Sequence, residues 1–364
     1  MLFVLKKFFL LLILCLSFLA VKGENLIRDT TKLNSFRVIP IAFYTPDTRW
    51  GFGAGGYFSF FPQRNWNTTR PSSVIFGLSY TQNKQLLLYA PFNIVLTKQK
   101  LWLTGELGYY KYIFNYFGIG NQIPNEYIEK YSADFPRIKL NTMYSICKFQ
   151  YLGLRYAFDD FTYTKLDSTG ELIQGKIVGS KNGNINSFGV VYSIDHRDWI
   201  NYPTKGFLAE VSYTIDNSKL GSDFDFQKWS SEASYYTSWK QKIILAANLQ
   251  FVYSDGDIPF HQMPSIGGTK RLRGYFDGKY RDNGLSILQV ELRFPLWKRI
   301  KWVAFAGVGK VFHTFDELNF EKLRYNSGLG LRFEMDPRSK IHLRLDYGFA
   351  KQSKGFYLTV GEAF

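Results

Sequence analysis

Apolar and polar residues alternate with a period of two, in segments of about ten residues, along nearly the whole chain, and this leaves few folds open to it. Between 341 and 349, Ile341, Leu343, Leu345, Tyr347 and Phe349 share one face, and His342, Arg344, Asp346 and Gly348 share the other. Between 286 and 294, Ser286, Leu288, Val290, Leu292 and Phe294 oppose Ile287, Gln289, Glu291 and Arg293. Segments 243–253 and 207–215 repeat the pattern, and no segment carries a helical period. A soluble antiparallel sheet would bury the apolar face and wet the polar one. A transmembrane barrel turns the apolar face to lipid and the polar one to its lumen.

Three features favour the barrel. The segments have the length a tilted membrane-spanning strand needs. Aromatic residues make up 18% of the chain and cluster near segment ends, as in Gly108–Tyr116 and Tyr235–Trp239, where interfacial girdles would lie. The N-terminus reads as a secretory signal: Lys6 and Lys7, an apolar run from Phe8 to Ala20, then Val21 and Gly23 for cleavage after Gly23. The bulky Ile13 and Leu14 before Cys15 argue against lipidation there. The run is also shorter than the roughly 20 residues a membrane helix requires.

The predicted organisation is a signal peptide at 1–23, a short periplasmic segment at 24–35 and an all-β domain at 36–364. That domain is expected to be a transmembrane antiparallel β-barrel of about sixteen strands in the bacterial outer membrane. The first strand is placed near Phe36–Tyr44 and the last at Phe356–Phe364, with one long run divided at Lys148–Gln150. Short connections such as 98–100, 240–242 and 336–339 suit one end of the barrel, and the longer 62–71, 117–136, 160–183 and 254–284 suit the other.

After signal cleavage only Cys147 remains, and His196, His261, His313 and His342 are widely separated. No disulfide, structural metal or cofactor is therefore expected. No GxSxG elbow or nucleophile–base motif suggests an enzyme. The formal charge of +15 would by itself allow a nucleic-acid patch. The lipid-facing alternation and the signal point instead to outer-membrane lipids, anionic lipopolysaccharide-type head groups included.

Within this strand pattern sits "IGGTKRLRGY", residues 266–275. It belongs to a connection of about thirty residues, too long for a simple hairpin. Gly267, Gly268 and Gly274 allow backbone conformations that other residues resist. If the connection folds into the lumen, Arg273 becomes a partly dehydrated cation that needs carboxylates, and its planar fork suits bidentate pairing. Glu291, on the polar face of the following strand, is the principal expected partner, shared with Asp346. The alternative is a surface loop with a solvated arginine. A phosphate cradle would need GxxxxGK[ST] and a following helix, which the stretch lacks.

"GGTKRLRGY", followed by "LSILQVELRFPL", resembles the BamA/TamA/FhaC superfamily of outer-membrane assembly and secretion barrels. Leu272, Arg273, Gly274 and Tyr275 match its [VIL]-R-G-[FY] signature on a long inward-folded loop. "DHRDWINYPTKG" is similar to the family's D-x-R-D-x(4)-P-x-x-G turn, carried by Asp195, Arg197, Asp198, Pro203 and Gly206. The C-terminal stretch also fits, and the terminal Phe364 stands where barrels of this membrane carry an insertion signal.

The resemblance covers residues 36–364 and implies a sixteen-strand barrel that helps insert, assemble or translocate outer-membrane or surface components. Two departures qualify it. Family members carry periplasmic POTRA domains before the barrel, whereas here only Glu24 to Ser35 separates the cleavage site from the first strand. A separate periplasmic or membrane assembly partner is therefore expected to supply their role to the client polypeptides. The stretch "FAGVG" also places Gly307 where the family has an aspartate beside the loop arginine. A passive channel or structural barrel remains the alternative function. Pro40 in the first strand lacks a ladder donor, which points to a weak seam between the first and last strands.

Overall fold

The structure is a computed structural model that describes residues 34–45, 49–61, 71–96, 99–124, 127–240, 242–337 and 339–364. The predicted signal peptide, and all of the 24–35 segment but its last two residues, lie outside the described residues. The first eight strands are β1 (Ser35–Thr45), β2 (Arg49–Phe60), β3 (Ser72–Thr81), β4 (Leu86–Leu96), β5 (Leu101–Tyr116), β6 (Glu129–Cys147), β7 (Gln150–Lys165) and β8 (Gly183–Asp195). Next come β9 (Gly206–Asp216), β10 (Phe226–Trp239), β11 (Ile243–Gly256) and two short loop strands, β12 (Ser265–Ile266) and β13 (Tyr280–Arg281). The last five are β14 (Gly284–Trp297), β15 (Ile300–Phe312), β16 (Arg324–Asp336), β17 (Ile341–Ala350) and β18 (Ser353–Val360).

Sixteen of these form one antiparallel sheet in chain order, with β11 pairing directly to β14 and the β12–β13 ladder standing apart. Consecutive pairing with alternating direction is what short connections between neighbouring strands permit. The chain is an all-β outer-membrane barrel. The expected division of the long run falls between Cys147 and Gln150. The last strand stops at Val360 rather than reaching Phe364.

The alternation sets the two faces. On β11 and β14, Leu249 and Leu288 pair across the ladder and point outward, half exposed. At alternate positions of the same strands, Asn248, Gln250, Gln289 and Glu291 point inward and are buried. Apolar side chains on the lipid face lose nothing by exposure, and inward polar groups find partners in the lumen. Glycines on the inner wall make room for aromatics. A Cβ on Gly328 would lie 2.2 Å from the Phe305 ring and one on Gly77 2.5 Å from the Tyr89 ring.

Strand direction assigns the connections to ends. Segments 117–128, 166–182, 217–225, 257–283 and 313–323 lie at one end. The 148–149, 240–242, 298–299 and 337–340 turns lie at the other, the periplasmic end by barrel convention. The 62–71 connection, expected among the long loops, lies almost wholly outside the described residues. It joins β2 to β3 and so belongs to the short-turn end. The short turn at 351–352, in contrast, sits among the long loops.

Candidate functional site

The 257–283 connection turns back into the barrel. Ile266, Leu272, Tyr275 and Tyr280 pack against Val252, Leu285, Ile287 and Val311 of the wall. Burying each apolar side chain of this size is worth about 1.5–3 kcal/mol, so this contact contributes to the attachment. The path needs unusual backbone. Gly267 has φ +119°, and a Cβ there would lie 1.7 Å from the Phe276 carbonyl oxygen. Leu272, with φ +50°, turns Arg273 toward the wall.

Arg273 lies among charges from three strands and the C-terminal segment. Its Nη2 donates to Glu291 Oε1 on β14 at 2.5 Å, and its Nη1 donates to Asp346 Oδ2 on β17 at 2.5 Å. The guanidinium stacks on the Phe305 ring of β15 at 3.7 Å. The structure thus brings Arg273, Glu291 and Asp346 together with every member buried. The neighbouring motif residues contribute backbone. The Leu272 N–H donates to Gln289 Oε1, the Gly274 N–H to Tyr357 Oη, and the Gly274 carbonyl accepts from Ser353 Oγ. Tyr275 donates its hydroxyl to the Tyr325 carbonyl.

Four further groups share the site. Arg293 donates Nε to Glu291 Oε2 at 3.0 Å. Arg332 donates Nη1 to Asp346 Oδ1 at 2.6 Å and Nε to Glu362 Oε2 at 2.7 Å. Arg344 reaches the Thr269 carbonyl and Thr359 Oγ1. Four guanidiniums thus face three carboxylates, and Glu291 and Asp346 are each shared among several of them. Only the positions of these arginines on inward faces were visible in the sequence. Burial pushes the Glu362 carboxyl up, but Arg332 and Arg293 outweigh it and hold it below its ordinary value.

Gly307, where the resemblance implied an aspartate, faces the loop directly. A Cβ there would lie 2.7 Å from Leu272 Cδ2 and 2.7 Å from Asn326 Oδ1. The leucine of the loop occupies the space a larger residue would need, and Asp346 supplies the second carboxylate from β17 instead.

The turn motif is built separately, between β8 and β9. Arg197 grips Asp195 with Nε and Nη2, both at 3.0 Å. Asp198 accepts from the Trp199, Thr204 and Lys205 N–H groups. Pro203 is buried. Gly206 has φ +102°, and a Cβ there would lie 2.1 Å from the His196 carbonyl oxygen. Phe364 meets the charged site through its main chain, whose carbonyl accepts from Arg293 at 3.4 Å.

Among proteins of curated function, none matches the sequence. Solved structures similar to the chain include BamA from Haemophilus ducreyi lacking POTRA domains 1–3, with TM-score 0.55 and 16% identity over 90% of this chain and 69% of that one. CdiB from Acinetobacter baumannii gives TM-score 0.57 at 12% identity over 91% of this chain, and CdiB from Escherichia coli 0.56 at 13% over 90%. The chain spans 60% and 61% of those two CdiB chains. At such identities the likeness concerns the fold. Residues 48–364 match the Omp85 superfamily domain, and the chain belongs to that superfamily.

Proposed function

We propose that this barrel aids the insertion, assembly or translocation of outer-membrane or surface polypeptides, working with a separate periplasmic or membrane partner. Superfamily membership supports a general insertion or secretion role, carried out by transporters and assembly factors rather than enzymes. The observation that carries the reading is the clasp of Arg273 by Glu291 and Asp346. It lodges the loop against β14–β18, the five strands that end at one edge of the sheet. Such a loop is an internal part placed beside the strands where a client could pair, which a passive pore has no need to hold by a shared ionic cluster. We read Arg273 as the loop tether and Phe364 as part of the signal for the barrel's own insertion.

The lipid partner follows from charge placement. Lys100, Lys148, Lys240, Lys242, Lys298 and Arg299 are exposed at the short-turn end. Among the described residues, the exposed carboxylate there is Asp198, already engaged by its own turn. At the other end Asp223, Asp255, Asp316, Glu317 and Glu321 offset the lysines. Outward-facing Trp239 and Trp297 adjoin Lys240 and Lys298 at head-group height. Anionic phospholipids of the periplasmic leaflet suit this rim.

Cross-linking in intact cells, followed by purification in mild detergent and mass spectrometry, tests the functional proposal. Reproducible recovery of periplasmic or membrane assembly proteins is expected. A barrel recovered alone, with ion conductance as its only property, would favour the passive channel.

A further inference from the structure

The β8–β9 turn does more than join two strands. Its stem is stiffened by the Arg197–Asp195 and Asp198 hydrogen bonds, and its tip, Trp199 to Tyr202, reaches into the barrel mouth. Ile200 is buried against Val95, Trp102, Met143, Tyr151 and Val191, which belong to β4 through β8. Tyr202 is buried on the other side. Its ring lies 4.2 Å from the His342 ring of β17, 4.2 Å from Lys301 Nζ of β15 and 5.1 Å from the Arg293 guanidinium of β14. Asn201 Nδ2 donates to the Ser339 carbonyl in the β16–β17 turn at 2.9 Å, and Lys340 Nζ caps the Trp199 ring at 3.9 Å. Strands β5 and β15 are eight places apart in the sixteen-strand order, so Ile200 and Tyr202, two residues apart, hold opposite sides of the wall.

We propose that this turn is a plug, seated across the short-turn mouth and linked to the inward loop through Tyr202, Arg293 and Glu291. Arg293 is the link because it meets both ends: its guanidinium lies over Tyr202, and its Nε and Nη2 hold Glu291, whose other oxygen holds Arg273. Tyr202 is thus a positioning residue for the loop clasp. Arg293 also donates to the Phe364 carbonyl, so the same cation fixes the C-terminal end. If the turn swings out, the Arg293 guanidinium loses its aromatic face and is freer to reorient, which weakens its hold on Glu291 of the same strand. Displacing the turn would therefore loosen the loop, and a client or partner entering from the periplasmic side would meet the turn first.

The linkage predicts two readouts for one substitution. In planar bilayers, Tyr202→Ala should raise single-channel conductance severalfold, and Ile200→Ser with Tyr202→Ala should raise it further. In detergent, Tyr202→Ala should also speed trypsin cleavage after Lys270 and Arg271 in the loop, although Tyr202 touches neither. Tyr202→Phe keeps the ring and should behave as the wild type in both assays. Asn201→Ala, which removes one hydrogen bond and leaves the packing intact, should show a smaller rise in conductance. Migration in unheated detergent gels confirms that each variant is a folded barrel. Wild-type conductance in both folded Ile200/Tyr202 variants would overturn the plug. Raised conductance with unchanged loop cleavage would overturn the linkage.

Discussion

Gly274 of the loop and Gly348 of β17 lie backbone to backbone. A Cβ on Gly348 would fall 2.5 Å from the Arg273 carbonyl oxygen, and one on Gly274 would fall 2.9 Å from the Phe349 carbonyl carbon. This contact brings the Arg273 side chain level with Asp346, two residues before Gly348. Gly274 also has φ +119°, so a side chain there is strained whatever the space.

Gly348→Ala should accordingly lift the loop off β17 without unfolding a barrel held by its backbone ladder. Limited trypsin digestion should cut the loop faster in this variant. Unchanged protection would mean that the backbone contact is not what seats the loop.

The clasp should respond asymmetrically to loss of its members. Arg273→Ala leaves Glu291 with Arg293 and Arg332 near it, whereas Glu291→Gln leaves four guanidiniums with only Asp346 and Glu362. Breaking a buried ion pair costs about 3–5 kcal/mol when one charge is left uncompensated. Glu291→Gln should approach that range in loop opening, and Arg273→Ala should cost less, about 1–3 kcal/mol. Hydrogen exchange of loop amides in the two single variants and the double variant measures both costs and the coupling between them. Simple additivity would mean that the two residues do not act together.

His261, on the loop, gives the pH dependence. Burial, then Arg281, Arg137 and Lys228, push its imidazole down to about 3. Its ring stacks on Phe161 at 3.9 Å, a contact made by the neutral form. The folded value lies below the unfolded one. The contribution is therefore complete above the ordinary histidine pKa of about 6.5 and is lost as pH falls below it toward 3. Loop protection should weaken from pH 7 to pH 5 in the wild type and stay constant in His261→Phe, measured by hydrogen exchange. Equal pH dependence in both would place the titrating group elsewhere.

The sheet was legible because a period of two states which face each side chain takes, and parity alone put Arg273's partners Glu291 and Asp346 on inward faces. Arg293, Arg332 and Arg344 were just as inward in the sequence, but nothing local says which inward arginines the loop will meet. That depends on register between strands and on the depth of the loop. Glu362 shows the same limit. It reads as a rim charge on the lipid-facing side of a strand running to Phe364. The strand instead ends at Val360, and Gly361, with φ +89°, turns the chain so that Glu362 meets Arg332 inside. The small residue at 307 reads as a lost carboxylate, yet the volume it frees is filled by Leu272, a contact between segments distant in sequence.

The basic rim should select lipid. Lys240→Glu, Lys242→Glu and Lys298→Glu together should lower the anionic phospholipid retained by the purified barrel, quantified by lipid mass spectrometry. They should leave the zwitterionic content unchanged, because the effect is electrostatic and screened by salt. Equal retention by wild type and variant would assign the rim to a protein partner.

A barrel that serves other polypeptides of the outer membrane or surface leaves a mark on that membrane when it is removed. Depletion in the native cell, followed by quantitative proteomics of isolated outer membranes before growth slows, tests this most directly. Loss of a defined set of outer-membrane or surface proteins is expected, restored by the wild-type gene and not by one encoding Arg273→Ala with Glu291→Gln. An outer-membrane proteome unchanged except for the barrel itself would contradict it.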